Sequence, residues 1–235
     1  MTKKALQLTC RLSLPPNSLG YCGQNSAPEK FKQCVITGPC DNIEQELEKF
    51  IVLNPYLETL AHITKLSKFS YKTVEAYWLG NNELKKSKVQ DYQRLLDNFV
   101  KQGVPEWFVA ELRTKLPTVF IPHHLFQVLH VGVGKASGSV PFNLETINNC
   151  MIRWGEVIDI KGNTLTANLN SLKKFGTGYS LIQKKCRARF IKGFLPKLKL
   201  GDIVAVHWGQ AVKILTPKEV AQLTFWTQEV LKHVD

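Results

Sequence analysis

Gly201-Asp202-Ile-Val-Ala-Val-His207-Trp-Gly209-Gln-Ala-Val212, taken with Asn148-Asn-Cys150-Met-Ile-Arg-Trp-Gly155-Glu-Val-Ile-Asp-Ile160, decides how the C-terminal part of this chain folds. In both stretches apolar residues alternate with others at the period of two that sends successive side chains to opposite faces of a sheet. Residues 150–160 therefore read as one strand and residues 203–208 as another, introduced by the Gly201-Asp202 turn. Between them Gly162-Asn163 is a turn, 164–169 a strand, 173–178 a loop, and 179–194 a long basic strand or hairpin arm. Thr216-Pro217-Lys-Glu219 then starts a terminal helix, with Thr as cap, Pro at the first helical position and Glu placed to reach back to the cap. A small antiparallel β-barrel with one C-terminal helix is the simplest closure of these elements.

Upstream, the period becomes helical. Ile43, Leu47, Phe50 and Ile51 recur at helix spacing behind Asp41 as a cap, and Asn54-Pro55 opens a second helix. Further helices are predicted from about Ser70 to Gly80, from Ser87 to Gly103, and from Pro105 to Pro117. A sixth covers 121–131, where His123, Gln127 and His130 would share one face and His124 would lie a quarter-turn around. Residues 1–40, with Pro15-Pro16, Gly20, Gly23, Pro28 and Gly38-Pro39, read as irregular chain. Gly132-Val-Gly134-Lys-Ala-Ser-Gly138 lacks the spacing of a phosphate loop and reads as a linker. The fold class is α+β: an all-α domain over 1–140, then an OB-like antiparallel barrel with its helix over 146–235.

Charge is unevenly placed. Of the net +12, residues 1–145 carry 17 Lys/Arg against 13 Asp/Glu, and residues 146–235 carry 14 against 6. Lys184, Lys185, Arg187 and Arg189 stand close together with no acid among them, a cluster suited to phosphate, nucleic acid or an acidic protein surface. No apolar run approaches a bilayer span and no cleavable leader is evident, so a cytoplasmic protein without a membrane role is expected. Six scattered cysteines do not form a disulfide framework in a chain this long, and in a reducing compartment all would be thiols.

Three groups of residues bear on chemistry. Cys150 and His207 offer a thiolate and an imidazole from two strands. Cys22, set in Gly20-Tyr-Cys22-Gly23, has a backbone free to present its sulfur at a turn. His123, His124 and His130 are close enough in sequence to supply a metal or acid–base site, with Cys22 or Glu75 as a further donor.

Read as a unit, residues 150–232 resemble the HypC/HupF family, the small chaperones of [NiFe] hydrogenase maturation. Cys150, Gly155, Val157 and Ile160 match that family's first element, and Gly201, Asp202, Val204, Val206, His207, Gly209 and Ala211 match its second. Leu215 and Glu219 fit the start of its short helix. The resemblance implies that Cys150 and His207 hold iron, as Fe(II) or an Fe(CN)2CO unit, with Gly155 and Gly209 allowing close backbone approach. It implies, as partners, a maturation scaffold protein and the hydrogenase large subunit. Family members carry the cysteine at the N-terminus and a Pro where Trp154 stands, so the helical domain ahead of Cys150 is expected to replace the scaffold or cover the site. That domain looks only like uncharacterised bacterial proteins with a Gly-Tyr-Cys-Gly stretch. Two other classes stay open: an enzyme using Cys22 and the histidines of the helical domain, and an RNA-binding module whose basic arm interleaves Tyr179, Phe190 and Phe194.

Overall fold

A computed structural model of the protein describes residues 3–23 and 27–233. Its first element is a 16-residue helix, α1 (Lys3–Ser18), where the prolines and glycines predict irregular chain. Ala5, Leu6, Leu8, Cys10, Leu12 and Leu14 are all buried. A helix buried nearly all round has no one-sided stripe, which is why periodicity does not reveal it. Pro15 and Pro16 fall in its last turn, so they remove only terminal hydrogen bonds, and burial outweighs that loss.

A second helix follows within the same stretch, α2 (Ala27–Ile36). Cys34 within it and Cys40 just beyond it form a disulfide, which corrects the expectation of six thiols. Cys10, Cys22, Cys150 and Cys186 are free.

Helix α3 (Ile43–Glu48) is short, capped by Asn42 at φ 60° in place of Asp41. Helix α4 (Leu53–Thr64) starts before Asn54, whose amide instead donates to Glu58 and, at 2.9 Å, to Gln102. Helices α5 (Tyr71–Trp78), α6 (Asp91–Gln102) and α7 (Glu106–Thr114) lie where the sequence predicts them. Ser70 caps α5 by accepting from the Thr73 N–H at 3.2 Å. The predicted sixth helix is a single turn, α8 (His124–Phe126), that widens at once into a π-helix over Gln127–Gly132.

Residue 150 is not on a strand. It ends helix α9 (Leu144–Cys150), begun by a capping box in which the Thr146 N–H donates to Asn143 and the Asn143 N–H to Thr146. Five strands follow: β1 (Arg153–Lys161), β2 (Thr164–Phe175), β3 (Gly178–Phe190), β4 (Ile203–His207) and β5 (Gln210–Ile214). Strands β2 and β3 run straight through the predicted 173–178 loop and turn at Gly176-Thr177. Strand β5 has no counterpart among the elements the sequence predicts. The pairing order β1-β2-β3-β5-β4 closes on itself because β4 also pairs with β1, and every pair is antiparallel except β3 with β5.

Helix α10 (Pro217–His233) begins as the sequence predicts: the Glu219 N–H donates to Thr216 Oγ1 at 3.3 Å and the Thr216 N–H to Glu219 Oε2 at 2.9 Å. No described helix is long and apolar enough to cross a bilayer. Helices and strands share one buried cluster that runs from Ala5 to Val230. Arg11 of α1 donates to the Phe194 and Val212 carbonyls at 2.7 and 3.1 Å. This contact matters for the site, since α1 also supports His207.

Candidate metal centre

His207 is the last residue of β4, and its ring turns toward α1. There Nδ1 lies 2.6 Å from the Leu12 carbonyl oxygen. A carbonyl can only accept, so Nδ1 carries the ring proton and Nε2 keeps a bare lone pair. That Nε2 is buried with no hydrogen-bond partner, on a residue only 1% exposed. Burial, and then the neighbouring His124, lower its pKa from the ordinary value to about 3. The Cys150 carbonyl lies near enough to favour the charged ring, but an acceptor gives the neutral lone pair nothing. An imidazole with one nitrogen tied to a backbone carbonyl and the other free is the arrangement that metal-binding histidines show.

His124 opens α8 and is satisfied on both sides. Its Nε2 donates to the Cys150 carbonyl at 2.8 Å, which leaves Nδ1 to accept from the Tyr77 hydroxyl at 3.1 Å. Burial lowers its pKa to about 4, against the opposing pull of the Cys150 bond. Cys150 itself stands at the end of α9 with its sulfur 3.9 Å from His124 Nε2. Burial raises its thiol well above the ordinary value, the Cys22 thiolate would raise it further, and the Trp208 indole opposes them. At rest the thiol and both imidazoles are therefore neutral.

One ligand atom from each of His124, Cys150 and His207 lies within 4.8 Å of the others, so the three could hold a metal ion. Bonds of about 2.0–2.3 Å at tetrahedral angles need donors roughly 3–4 Å apart, and small side-chain rotations close that gap. His124 must also move its proton. Giving up Nε2–H for Nδ1–H frees Nε2 as a ligand, and Tyr77 can then accept where it now donates.

The three nearby imidazoles of the sequence go three ways. His123 is not helical; it is the extended cap of α8, its Nδ1 accepting from the Leu125 N–H at 3.2 Å. His130 stacks on Phe126 with 4.7 Å between ring centroids and bonds the Tyr92 hydroxyl at 3.1 Å. Only His124 reaches the centre. The three do not share a helical face because the helix starts at His124, three residues after the predicted 121, and then changes pitch. Glu75 is occupied elsewhere, accepting from Asn81 at 2.8 Å.

Gly155 and Gly209 do not line the cavity around these donors. At Gly155 a Cβ would stand 1.7 Å from the Asn168 carbonyl oxygen, so its close backbone approach serves strand pairing. Gly209 is the second residue of the turn joining β4 to β5, after Trp208. Trp208 takes φ 47°, a conformation that costs a bulky residue on the order of 1 kcal/mol. It is held there by its N–H donating to the Asn149 carbonyl at 2.7 Å and by Tyr21, 4.7 Å away ring to ring.

The cavity has a volume of about 70 Å³. Besides the three donors, Cys22, Tyr77, Trp78 and Trp208 wall it, and so does the 132–140 segment that reads in sequence as a linker. Outside, Trp208 also borders a groove of about 540 Å³ with Lys161, Arg187 and Arg189. The aromatic walls and the Gly/Ser wall carry no sequence signal of their own; only the position of Trp208 beside His207 could have suggested one of them.

No curated protein and no solved structure matches this chain. The chain belongs to a family of unknown function, DUF6390, which matches it over residues 1–235.

Proposed function

We propose that the protein is a HypC-like metallo-chaperone that takes up iron, as Fe(II) or an Fe(CN)2CO unit, and passes it to a hydrogenase under maturation. The observation that carries this reading is the unpartnered Nε2 of buried His207 beside the Cys150 thiol and His124. Thiolate is a soft donor suited to low-spin iron and imidazole a borderline one, so the donor set fits such a cargo. The closed five-strand order is compatible with the OB-like barrel of that family. The reading adds His124 to Cys150 and His207 as a ligand and gives the helical half a purpose, since that half supplies the third donor. It places the protein in the cytoplasm.

The cargo brings the metal and its ligands; the chain supplies protonation states and a chamber walled by Tyr77, Trp78 and Trp208. Cys150 must release its proton on ligation, whereas His124 only shifts its own from one nitrogen to the other. Uptake should thus free about one proton per metal ion for this set of three. For delivery, Arg187 and Arg189 flank the groove whose wall includes Trp208, the residue that also walls the cavity. An acidic face of the large subunit or of a scaffold protein seated in that groove would press on the indole beside the thiol.

The test is anaerobic equilibrium dialysis of the full chain against Fe(II), with metal content measured on wild type, Cys150→Ala and His207→Ala. Near-equimolar iron is expected in wild type, with at least a tenfold loss in each variant. Unchanged iron in Cys150→Ala would sink the proposal.

A further inference from the structure

The cavity holds a second thiol that the three-donor group leaves out. Cys22 lines the same chamber as His124, Cys150 and His207, yet it lies outside the set of atoms within 4.8 Å of one another. It sits in the turn after α1, between Gly20 at φ 73° and Gly23 at φ 74°. The turn is pinned on both sides of it: Asn17 Nδ2 donates to the Cys22 carbonyl at 2.6 Å, and the Tyr21 ring rests against Trp208. The backbone is thereby fixed at the chamber wall while the sulfur keeps a rotatable bond.

Part of Cys22 reaches solvent, whereas Cys150 does not. Even so, Cys22 lines the chamber together with Cys150 and Tyr77. Cys22 therefore stands at the opening, bordering both solvent and chamber.

We infer that Cys22 is the mouth ligand of the centre: it meets the metal ion where the chamber opens and completes the shell of His124, Cys150 and His207 to two thiolates and two imidazoles. The inference rests on the metal-holding reading above. Three donors leave one position of a tetrahedral ion open, and a buried His207 Nε2 with no partner already aims into the chamber that Cys22 borders. A four-donor shell holds its ion and a three-donor shell releases it more readily, so rotation of one side chain at the mouth changes the centre from storing to surrendering. Each ligated thiol gives one proton to solvent, so the full shell frees about two protons per divalent ion against about one without Cys22.

The experiment uses Co(II) as the probe on the full-length protein under anaerobic, reducing conditions. Two quantities are read: the thiolate-to-cobalt charge-transfer absorption, and the protons released per cobalt in weakly buffered indicator solution. Wild type is expected to show two thiolates and about two protons. Cys22→Ser should keep equimolar cobalt with the absorption roughly halved and about one proton released, and a chelator should strip it at least tenfold faster. Circular dichroism of Cys22→Ser controls for folding, and Cys22→Ala repeats the reading without a hydroxyl. A wild-type chain that binds cobalt with one thiolate and one proton overturns the role of Cys22 and leaves the metal-holding reading intact. A wild-type chain that binds no cobalt overturns both.

Discussion

The helical and strand halves of the molecule treat their polar side chains in opposite ways. The helices bury polar groups and pair many of them: Asn98 donates to Thr59 at 3.0 Å, Glu46 meets Lys30 and Lys49, and His124 bonds Tyr77 and the Cys150 carbonyl. Strand β3 puts its cations outward, with Lys185, Arg187 and Arg189 on its exposed side while Ala188 and Phe190 point in. The one strand imidazole that goes inward, His207, keeps a bare lone pair at its unpartnered Nε2, whereas the unpartnered Nε2 of His123 carries the ring proton because its Nδ1 accepts from Leu125. A histidine with both nitrogens bonded stabilises the resting fold, and a buried bare lone pair is free to bind a ligand. The centre thus joins a donor the fold already uses to a donor it does not.

The largest expected effect breaks the strand half alone. Gly155 faces Leu169 across the β1–β2 pair, and a methyl group there would meet the Asn168 carbonyl, backbone that cannot turn aside. Gly155→Ala should cost about 3 kcal/mol or more, read as a lowered urea midpoint. A cost under about 0.5 kcal/mol would show that the strand ring tolerates spreading and that the glycine has another purpose.

Much of the strand half is legible in the sequence because its alternation is exposed on one side. The Thr216/Glu219 cap, the Gly162-Asn163 turn and the 203–207 strand lie where predicted. The helical half is legible only where helices are amphipathic, as in α5 and α6. Helix α1 hides because it is buried on nearly every face, and α9 because its seven residues run directly into β1 and share its apolar content. For the centre, Cys150 and His207 could be singled out as chemistry-bearing residues in matching elements. Which of three histidines joins them depends on where that helix starts and on a π-helix, neither of which the sequence marks.

A second prediction sharpens the contrast between the two imidazoles. Burial lowers the pKa of His123 and His207 to about 3 and of His124 to about 4. In the unfolded chain each takes a proton near the ordinary value of about 6.5, so between those limits the unfolded state binds more protons and stability rises with pH. Stability is full above about pH 6.5 and is lost as pH falls, by roughly 2 kcal/mol per histidine at pH 5. Urea unfolding at pH 7 and pH 5 measures it, and equal stabilities at the two values would contradict the buried neutral rings. His124→Leu and His207→Leu should each flatten the slope by about one proton. At pH 7 they should differ: the first strands the Tyr77 hydroxyl and the Cys150 carbonyl at a cost of about 2 kcal/mol, while the second leaves only the Leu12 carbonyl unpaired and costs less.

The smallest effect on the fold is expected at the outward face of β3, and there the contrast between halves becomes one between holding and delivering. Lys185, Arg187 and Arg189 face Asn168, Thr166 and Thr164 across the β2–β3 pair, and no acid stands between Asp159 and Asp202. The triple change to Gln should shift stability by no more than about 0.5 kcal/mol, because these side chains are solvated. Cobalt uptake should also stay unchanged. What should fall is salt-sensitive association with an acidic partner, measured against a hydrogenase large subunit at low and raised ionic strength. Binding of single-stranded RNA in its place, weakening with salt and lost in the same triple variant, would assign the strip to nucleic acid. Metal uptake that falls along with association would mean that the groove and the chamber act through Trp208 as one site. Uptake that stays level while association is lost would separate them: a centre that holds and a face that delivers.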